Sequence, residues 1–239
     1  MKEQACLLAA VLAISMTSVL GCSSDGGATD ETTTLEGEES SGSALSGSEY
    51  PAPNLTADEK AQVFAKYQVD AEGVIPRSLL EDAVAFFDFN KAKIKNKAFL
   101  TVVDFAKHSG KKRMFVVNMT SGAVSSYVVA HGSGSDPGNT GFATRFSNVD
   151  NSNQSSLGYY VTGETYDGKH GNSLRLDGVS STNSKVRARA IVMHGADYVS
   201  EGRSQQGRSW GCLALPISEK DGLIAKLKGG SVIYAAHQN

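Results

Sequence analysis

A thiol and an imidazole supply the chemistry that can be read in this 239-residue chain. Cys212 ends the string Gly207-Arg208-Ser209-Trp210-Gly211-Cys212, and His194 closes an apolar run, Ala190-Ile191-Val192-Met193-His194-Gly195. A thiol attacks a carbonyl as thiolate, so it needs an imidazole to take or hold its proton. His194 suits that role because the run before it reads as a buried strand, which would leave the ring at a strand end. Gly211 lets the backbone approach a substrate closely. The successive amides of Trp210, Gly211 and Cys212 are candidates to meet a developing oxyanion. Ser209 either bonds to the imidazole or orients the turn, and Trp210 shapes a pocket wall. The competing reading makes Cys212 a small buried hydrophobe.

Other polar residues are weaker candidates. His131, His170 and His194 are scattered without the short spacing of metal ligands, so neither a metal nor another cofactor is expected. His170, in a glycine-rich stretch, reads as lining the cleft, whereas His108 and His237 read as surface residues. Asp177 is expected to support a turn or orient an arginine rather than to act as a triad acid.

The elements that must position these groups are mostly strands. Residues 54–69 carry an amphipathic helical pattern, and Ser78-Leu79-Leu80-Glu81 has the capping-box spacing for a second helix. From residue 98 the pattern changes. Strands are predicted over 99–105, over 113–119 and 123–130 as a hairpin, and over 157–163, 174–176 and 187–194. A Gly/Ser/Asn/Asp-rich loop spans about 131–156, a length usually reserved for function. A helix is predicted from Pro216 to Lys228, capped by Ser218 and stopped by Gly229-Gly230, before a last strand at 231–235. The fold class is therefore mainly β, a mixed sheet sandwich with a few peripheral helices and a small N-terminal helical preface.

The N-terminal residues read as processing and tethering segments. An apolar stretch from Ala5 to Leu20 is short for a membrane span. It ends in Val19-Leu20-Gly21-Cys22, which resembles a bacterial lipobox and implies a lipid on Cys22 with cleavage before it; an ordinary secretory peptide is the alternative. Cys6 would leave with the signal, so no intramolecular disulfide framework is expected. An exported thiol without a partner, Cys212, then reads as reactive. Residues 23–50 hold seven acidic residues and no basic one, which reads as a flexible tether. The expected organisation is thus signal 1–22, tether 23–50, helical preface 51–97 and catalytic domain 98–239. Setting aside Lys2, Glu3 and the seven tether acids leaves 22 basic against 17 acidic residues. Such a mildly basic body suits an anionic polymer such as cell wall, and no nucleic-acid motif accompanies it.

His194-Gly195, followed after Arg208 by Ser209-Trp210-Gly211-Cys212, resembles the L,D-transpeptidases with a YkuD-type catalytic domain. The stretches Leu157-Gly158-Tyr159-Tyr160-Val161-Thr162-Gly163-Glu164, His170-Gly171, Ser173-Leu174-Arg175-Leu176-Asp177-Gly178 and Ala214-Leu215-Pro216 extend the resemblance to the second, murein L,D-transpeptidase subfamily. It spans about 113–235. It implies that Cys212 attacks the amide after the L-centre of diaminopimelate in a tetrapeptide stem, releasing D-alanine and leaving a thioester. His194 would shuttle the proton, and an amine from a second stem would complete a 3–3 crosslink. Water as acceptor would make an L,D-carboxypeptidase instead. An enzyme that releases wall-attached proteins, or a non-catalytic wall-binding lipoprotein, are the rivals. The implied substrate contacts are Gly195, Arg208, His170, Arg175 and Tyr160. Trp210 and Ala214 depart from the broader pattern, Ala214 standing where a polar group commonly helps hold a substrate carboxylate or the loop; Arg208 or Arg175 would replace it. The expected setting is the cell envelope, with a monomer lipid-anchored in the periplasm, on the outer membrane if the envelope is Gram-negative.

Overall fold

The computed structural model describes residues 44–238. The expected signal segment, the expected lipidation site Cys22 and the acidic tract up to residue 43 lie outside the described residues.

Two helices come first. Helix α1 (Ala57–Phe64) starts with a capping box: the Glu59 amide donates to Thr56 Oγ1 at 3.3 Å, and the Thr56 amide donates to the Glu59 carboxylate at 2.7 Å. The capping box expected at Ser78 is not formed. Helix α2 (Arg77–Asn90) is entered through Pro76, and Ser78 lies inside its first turn with its hydroxyl on Gln238. Proline has a restricted φ and no N–H to satisfy, so it introduces a helix without a side-chain cap. Pro216 does the same for α3 (Ile217–Leu227), which places the expected cap Ser218 within that helix.

The strands are β1 (Phe99–Asp104), β2 (Met114–Asn118), β3 (Val124–Tyr127), β4 (Gly158–Gly168), β5 (Gly171–Gly178), β6 (Val192–Ala196), β7 (Leu213–Pro216) and β8 (Val232–Ala236). They form one mixed sheet in the order β3-β2-β1-β8-β4-β5-β6-β7, with β1–β8 and β6–β7 parallel. The two edges approach each other beyond β3. The Ala130 amide donates to Ala214 O at 2.9 Å, and Gly132 bridges to Ser209, so the sheet curls into a nearly closed barrel.

Strand alternation divides the apolar residues between two cores. Leu100, Val102, Phe115, Val117, Val161 and Val232 pack with α1 and α2, whereas Val103, Met114, Val116, Tyr160, Ile233 and Ala235 pack with Leu223, Ile224 and Leu227 of α3. Phe86 of α2 stacks on Tyr159 at 4.0 Å, and Tyr159 stacks on Tyr234 at 4.6 Å. The helical preface thus supports one face of the sheet. Docking begins before it: Leu45 packs on the same core, and Tyr50 is buried there with its hydroxyl directed to Lys93 O.

The first part of one predicted strand, 187–194, is replaced by turns. Arg187-Ala188-Arg189-Ala190 alternates like a strand, yet residues 181–190 form successive turns and β6 begins only at Val192. Both arginines are drawn off by tertiary partners. Arg187 grips Asp177 and Glu164, and Arg189 binds Ser147 O, Ser152, Gln154 O and Ser156 of the long loop.

Candidate active site

A parallel strand pair requires a return connection, and here residues 197–212 supply it between β6 and β7. The string containing Cys212 therefore enters β7 beside the start of β6. Met193 pairs with Leu213 and His194 with Ala214, which places Cys212 alongside Val192 and two residues before the level of His194. On the other side of β6, Arg175 pairs with Val192. Arg175, Val192 and Cys212 thus form one row across three strands, and the register puts Ser173, His194 and Ala214 in the row two residues away.

The turn before Cys212 is fixed by Ser209. Its hydroxyl donates to Cys212 O at 2.8 Å and accepts from the Gly211 amide at 3.1 Å. Ser209 therefore orients the turn and does not engage the imidazole, and the Gly211 amide is already committed. Gly211 has a φ of +121°, and a Cβ there would lie 2.7 Å from Gln154 O. Only glycine fits that approach.

The long loop is clamped to this turn. The Ser209 amide donates to His131 O at 2.9 Å, the Ser133 amide donates to Ser209 O at 2.7 Å, and Arg208 donates to Asp136 O. Behind it, the fully buried Arg113 donates to Val129 O and to His131 Nδ1, the latter at 2.8 Å. His131 Nε2 is then left facing Asp136 at 3.5 Å. Arg113 and His131 share no local sequence pattern that would announce this support.

His194 is buried and makes a 2.9 Å contact from Nδ1 to Gly195 O. A carbonyl only accepts, so Nδ1 carries the proton and the lone pair lies on Nε2. Burial, assisted by the neighbouring His170, pulls the His194 pKa down to about 4 against the opposing bond to Gly195. Burial raises the pKa of the Cys212 thiol, against a lowering by the Val192 amide and by Arg189. The thiol's own hydrogen bond goes to Ala190 O at 3.8 Å. Both groups are consequently neutral near pH 7: an uncharged base and an un-ionised thiol.

The candidate substrate residues separate clearly. Gly195 lies on β6 next to His194, and a Cβ there would press into the Lys220 side chain. His170 is exposed and stacks on the His194 ring. Arg208 serves the loop clamp. Tyr160 is a correction: it is 1% exposed and donates to Ser156 O at 2.6 Å, so it lies in the core and offers no surface to a substrate. Tyr166 was not singled out from sequence. It is partly buried under the Arg175 guanidinium, 4.2 Å above its ring. Asp177 orients Arg187, as one of its two expected roles required. Among the described residues no group of three His, Cys, Asp or Glu side chains is arranged to hold a metal ion.

The family pattern of the L,D-transpeptidase catalytic domain matches residues 71–236. Similar solved structures include two of the helical cell shape determining protein Pgp2 from Campylobacter jejuni. One has 14% identity over 64% of this chain and 55% of that chain, with a TM-score of 0.39. The other has 12% identity over 60% and 49%, with a TM-score of 0.37. A third, Bd1075 of Bdellovibrio bacteriovorus, has 14% identity over 59% and 49%, with a TM-score of 0.35. The chain spans about half the length of these solved chains. No curated protein matches. With the family pattern covering most of its length, and both Cys212 and His194 inside the match, the chain belongs to the family of L,D-transpeptidase catalytic domains.

Proposed function

We propose that this protein is a cysteine acyltransferase acting on peptidoglycan stem peptides, with Cys212 as nucleophile and His194 as base. The observation that carries the reading is the parallel register of β6 and β7, which sets Cys212 at the entry to β7 two residues before the level of His194, together with the hydrogen bond that fixes the Nε2 lone pair of His194. Because both groups start neutral, proton transfer accompanies attack. Nε2 takes the Sγ proton as sulfur bonds to the amide carbonyl after the L-centre of diaminopimelate. The amides of Trp210 and Cys212 are the remaining candidates for the oxyanion, since the Gly211 amide is held by Ser209. Collapse breaks the C–N bond, the imidazolium returns the proton to the departing D-alanine amine, and a thioester stays on Cys212. A stem amine then forms the 3–3 crosslink; water would release a shortened stem.

The setting we propose is the periplasmic cell envelope, with lipid on Cys22 holding the protein at a membrane while its body reaches the wall. Lipidation is tested separately: Cys22→Ser moves the protein to the soluble fraction, and no shift removes the anchor.

The nucleophile is tested by intact mass of the full chain after incubation with a carbapenem, a β-lactam class that acylates typical enzymes of this family. An adduct on wild type and none on Cys212→Ala supports the reading. An equal adduct on both, or loss of D-alanine from tetrapeptide stems by the alanine variant, overturns it.

A further inference from the structure

The long loop over 131–156 returns to the Cys212 turn with both its ends, and the ends meet at Ser155. This serine is buried, and each of its polar atoms has a partner. Its amide donates to Ser135 Oγ at 2.9 Å, and its carbonyl accepts from the Ser147 amide at 3.1 Å. Its hydroxyl lies between Gly132 and Gly211. The Gly132 amide, 3.0 Å away, can only donate, so the hydroxyl accepts there and its own proton goes to Gly211 O at 3.3 Å. One residue earlier, Arg189 holds Gln154 O at 2.8 Å. The fit is backbone against backbone: a Cβ on Gly132 would lie 2.9 Å from Gly211 Cα, and one on Gly211 would lie 2.7 Å from Gln154 O.

The peptide bond carries this contact to the reacting centre. Gly211 O and the Cys212 N–H belong to one planar trans unit, in which they point in opposite directions. A hydroxyl that fixes Gly211 O therefore fixes the direction of the Cys212 N–H. The Ser133 amide, which donates to Ser209 O at 2.7 Å, does the same for the N–H of Trp210. These are the two amides left for the oxyanion, and the loop aims each of them from the far end of its own peptide. The thiol is held differently: Sγ donates to Ala190 O and receives the Val192 amide, neither of them in the loop. Ser155 thus bears on the donor geometry and leaves the contacts of the thiol alone.

We propose that Ser155 is a positioning residue for acyl transfer: through Gly211 O it aims the Cys212 amide at the oxyanion. This rests on the acyl-transfer reading above. Ser155→Ala removes the hydrogen bond to Gly211 O and lets the 211–212 peptide tilt. The oxyanion forms only on the way through the transition state, so the loss falls on the limiting rate of acylation and not on the half-saturating concentration. Removing such a donor outright costs about a hundredfold or more, and misaiming one predicts a fall of about tenfold or more.

Two reactions at Cys212, followed by mass spectrometry of the full chain, separate this role from plain support of the fold. Acylation by a saturating carbapenem passes through an oxyanion. Alkylation by iodoacetamide displaces iodide from a saturated carbon and forms none. Dividing the acylation rate by the alkylation rate within each variant cancels changes in thiol exposure and ionisation. The quotient falls about tenfold or more in Ser155→Ala. It falls less in Ser135→Ala, which frees the Ser155 amide and carries the same test should Ser155→Ala not fold. An unchanged quotient in the folded variant, whether the two rates hold or drop together, overturns the role of Ser155 and leaves acyl transfer standing. Wild type that is alkylated at Cys212 but takes no carbapenem overturns the acyl-transfer reading and this proposal with it.

Discussion

The His170 ring lies almost parallel to that of His194, with centroids 4.1 Å apart and an interplanar angle of 23°. An exposed histidine thereby roofs a buried one. The roof keeps water from His194 and adds a second group that disfavours its protonation, so the ring remains a neutral base well below the usual histidine range.

Replacing His170 by alanine opens that roof. The pKa of His194 rises from about 4 as its burial lessens and the neighbouring ring is lost. A base works only when unprotonated, so activity is lost as pH falls through its pKa, and raising that pKa moves the acid limb upward. The expected result is that the acid limb of Cys212 acylation lies at higher pH in His170→Ala than in wild type, whose limb follows the His194 pKa of about 4. A pH profile of carbapenem acylation from pH 4 to 8 measures this, and coincident limbs would remove His170 from the base's environment.

The thiol gives a complementary test. Burial raises the Cys212 pKa, and His194 is neutral, so no thiolate–imidazolium pair stores charge in the resting site. Alkylation by iodoacetamide is then expected to climb about tenfold per pH unit from pH 6 to pH 8 and to keep rising beyond the ordinary thiol range. A plateau from pH 6 upward would mean a preformed ion pair. Stopped-time mass spectrometry of the Cys212 peptide distinguishes the two.

The parts of the site that the sequence exposed are those carried by contiguous residues. His194-Gly195 and the Ser209–Cys212 string announce themselves because one strand end and one tight turn build them. The helical preface was visible as two helices, but its place on the sheet was open, since periodicity marks an apolar face without naming its partner. The alternation from Arg187 to Ala190 imitated a strand because the same spacing serves two side chains pinned to different loops. Tyr166 escaped notice because its contact is with Arg175, nine residues later across the β4–β5 pair. Arg113 and His131 are 18 positions apart and meet only because β3 runs back along β2. Partners set by topology leave no local trace.

Those buried histidines carry a cost in acid. Burial lowers the pKa of both His131 and His194 to about 4, with Arg113 adding to the shift at His131. In the unfolded chain they take protons near pH 6.5. The unfolded state therefore binds more protons between about pH 6.5 and 4, and the stability is complete above pH 6.5 and lost as pH falls through that window. At pH 4.5 the penalty is about 2 kcal/mol for each ring. Calorimetry at pH 7.5 and 4.5 reads it as a falling Tm, and His131→Gln should flatten the fall by close to half. An equal fall in the variant would place the acid sensitivity elsewhere.

The layer of α1 and α2 makes the last prediction. Phe86 is fully buried between α2 and the sheet, stacked on Tyr159, in the core on the face opposite α3. Phe86→Ala removes a large ring from a packed site, and the expected loss is about 3–5 kcal/mol. Cys212 packs on the other core, with Tyr160, Leu213 and Ile191. If the preface is a support, the folded variant should alkylate Cys212 at the wild-type rate while its urea midpoint drops, because the sheet's inner face keeps the register of β6 and β7. A preface that formed part of the cleft would couple the two, and the thiol rate would change together with the midpoint. Urea titration and thiol alkylation on the same samples decide between a scaffold and a wall of the cleft.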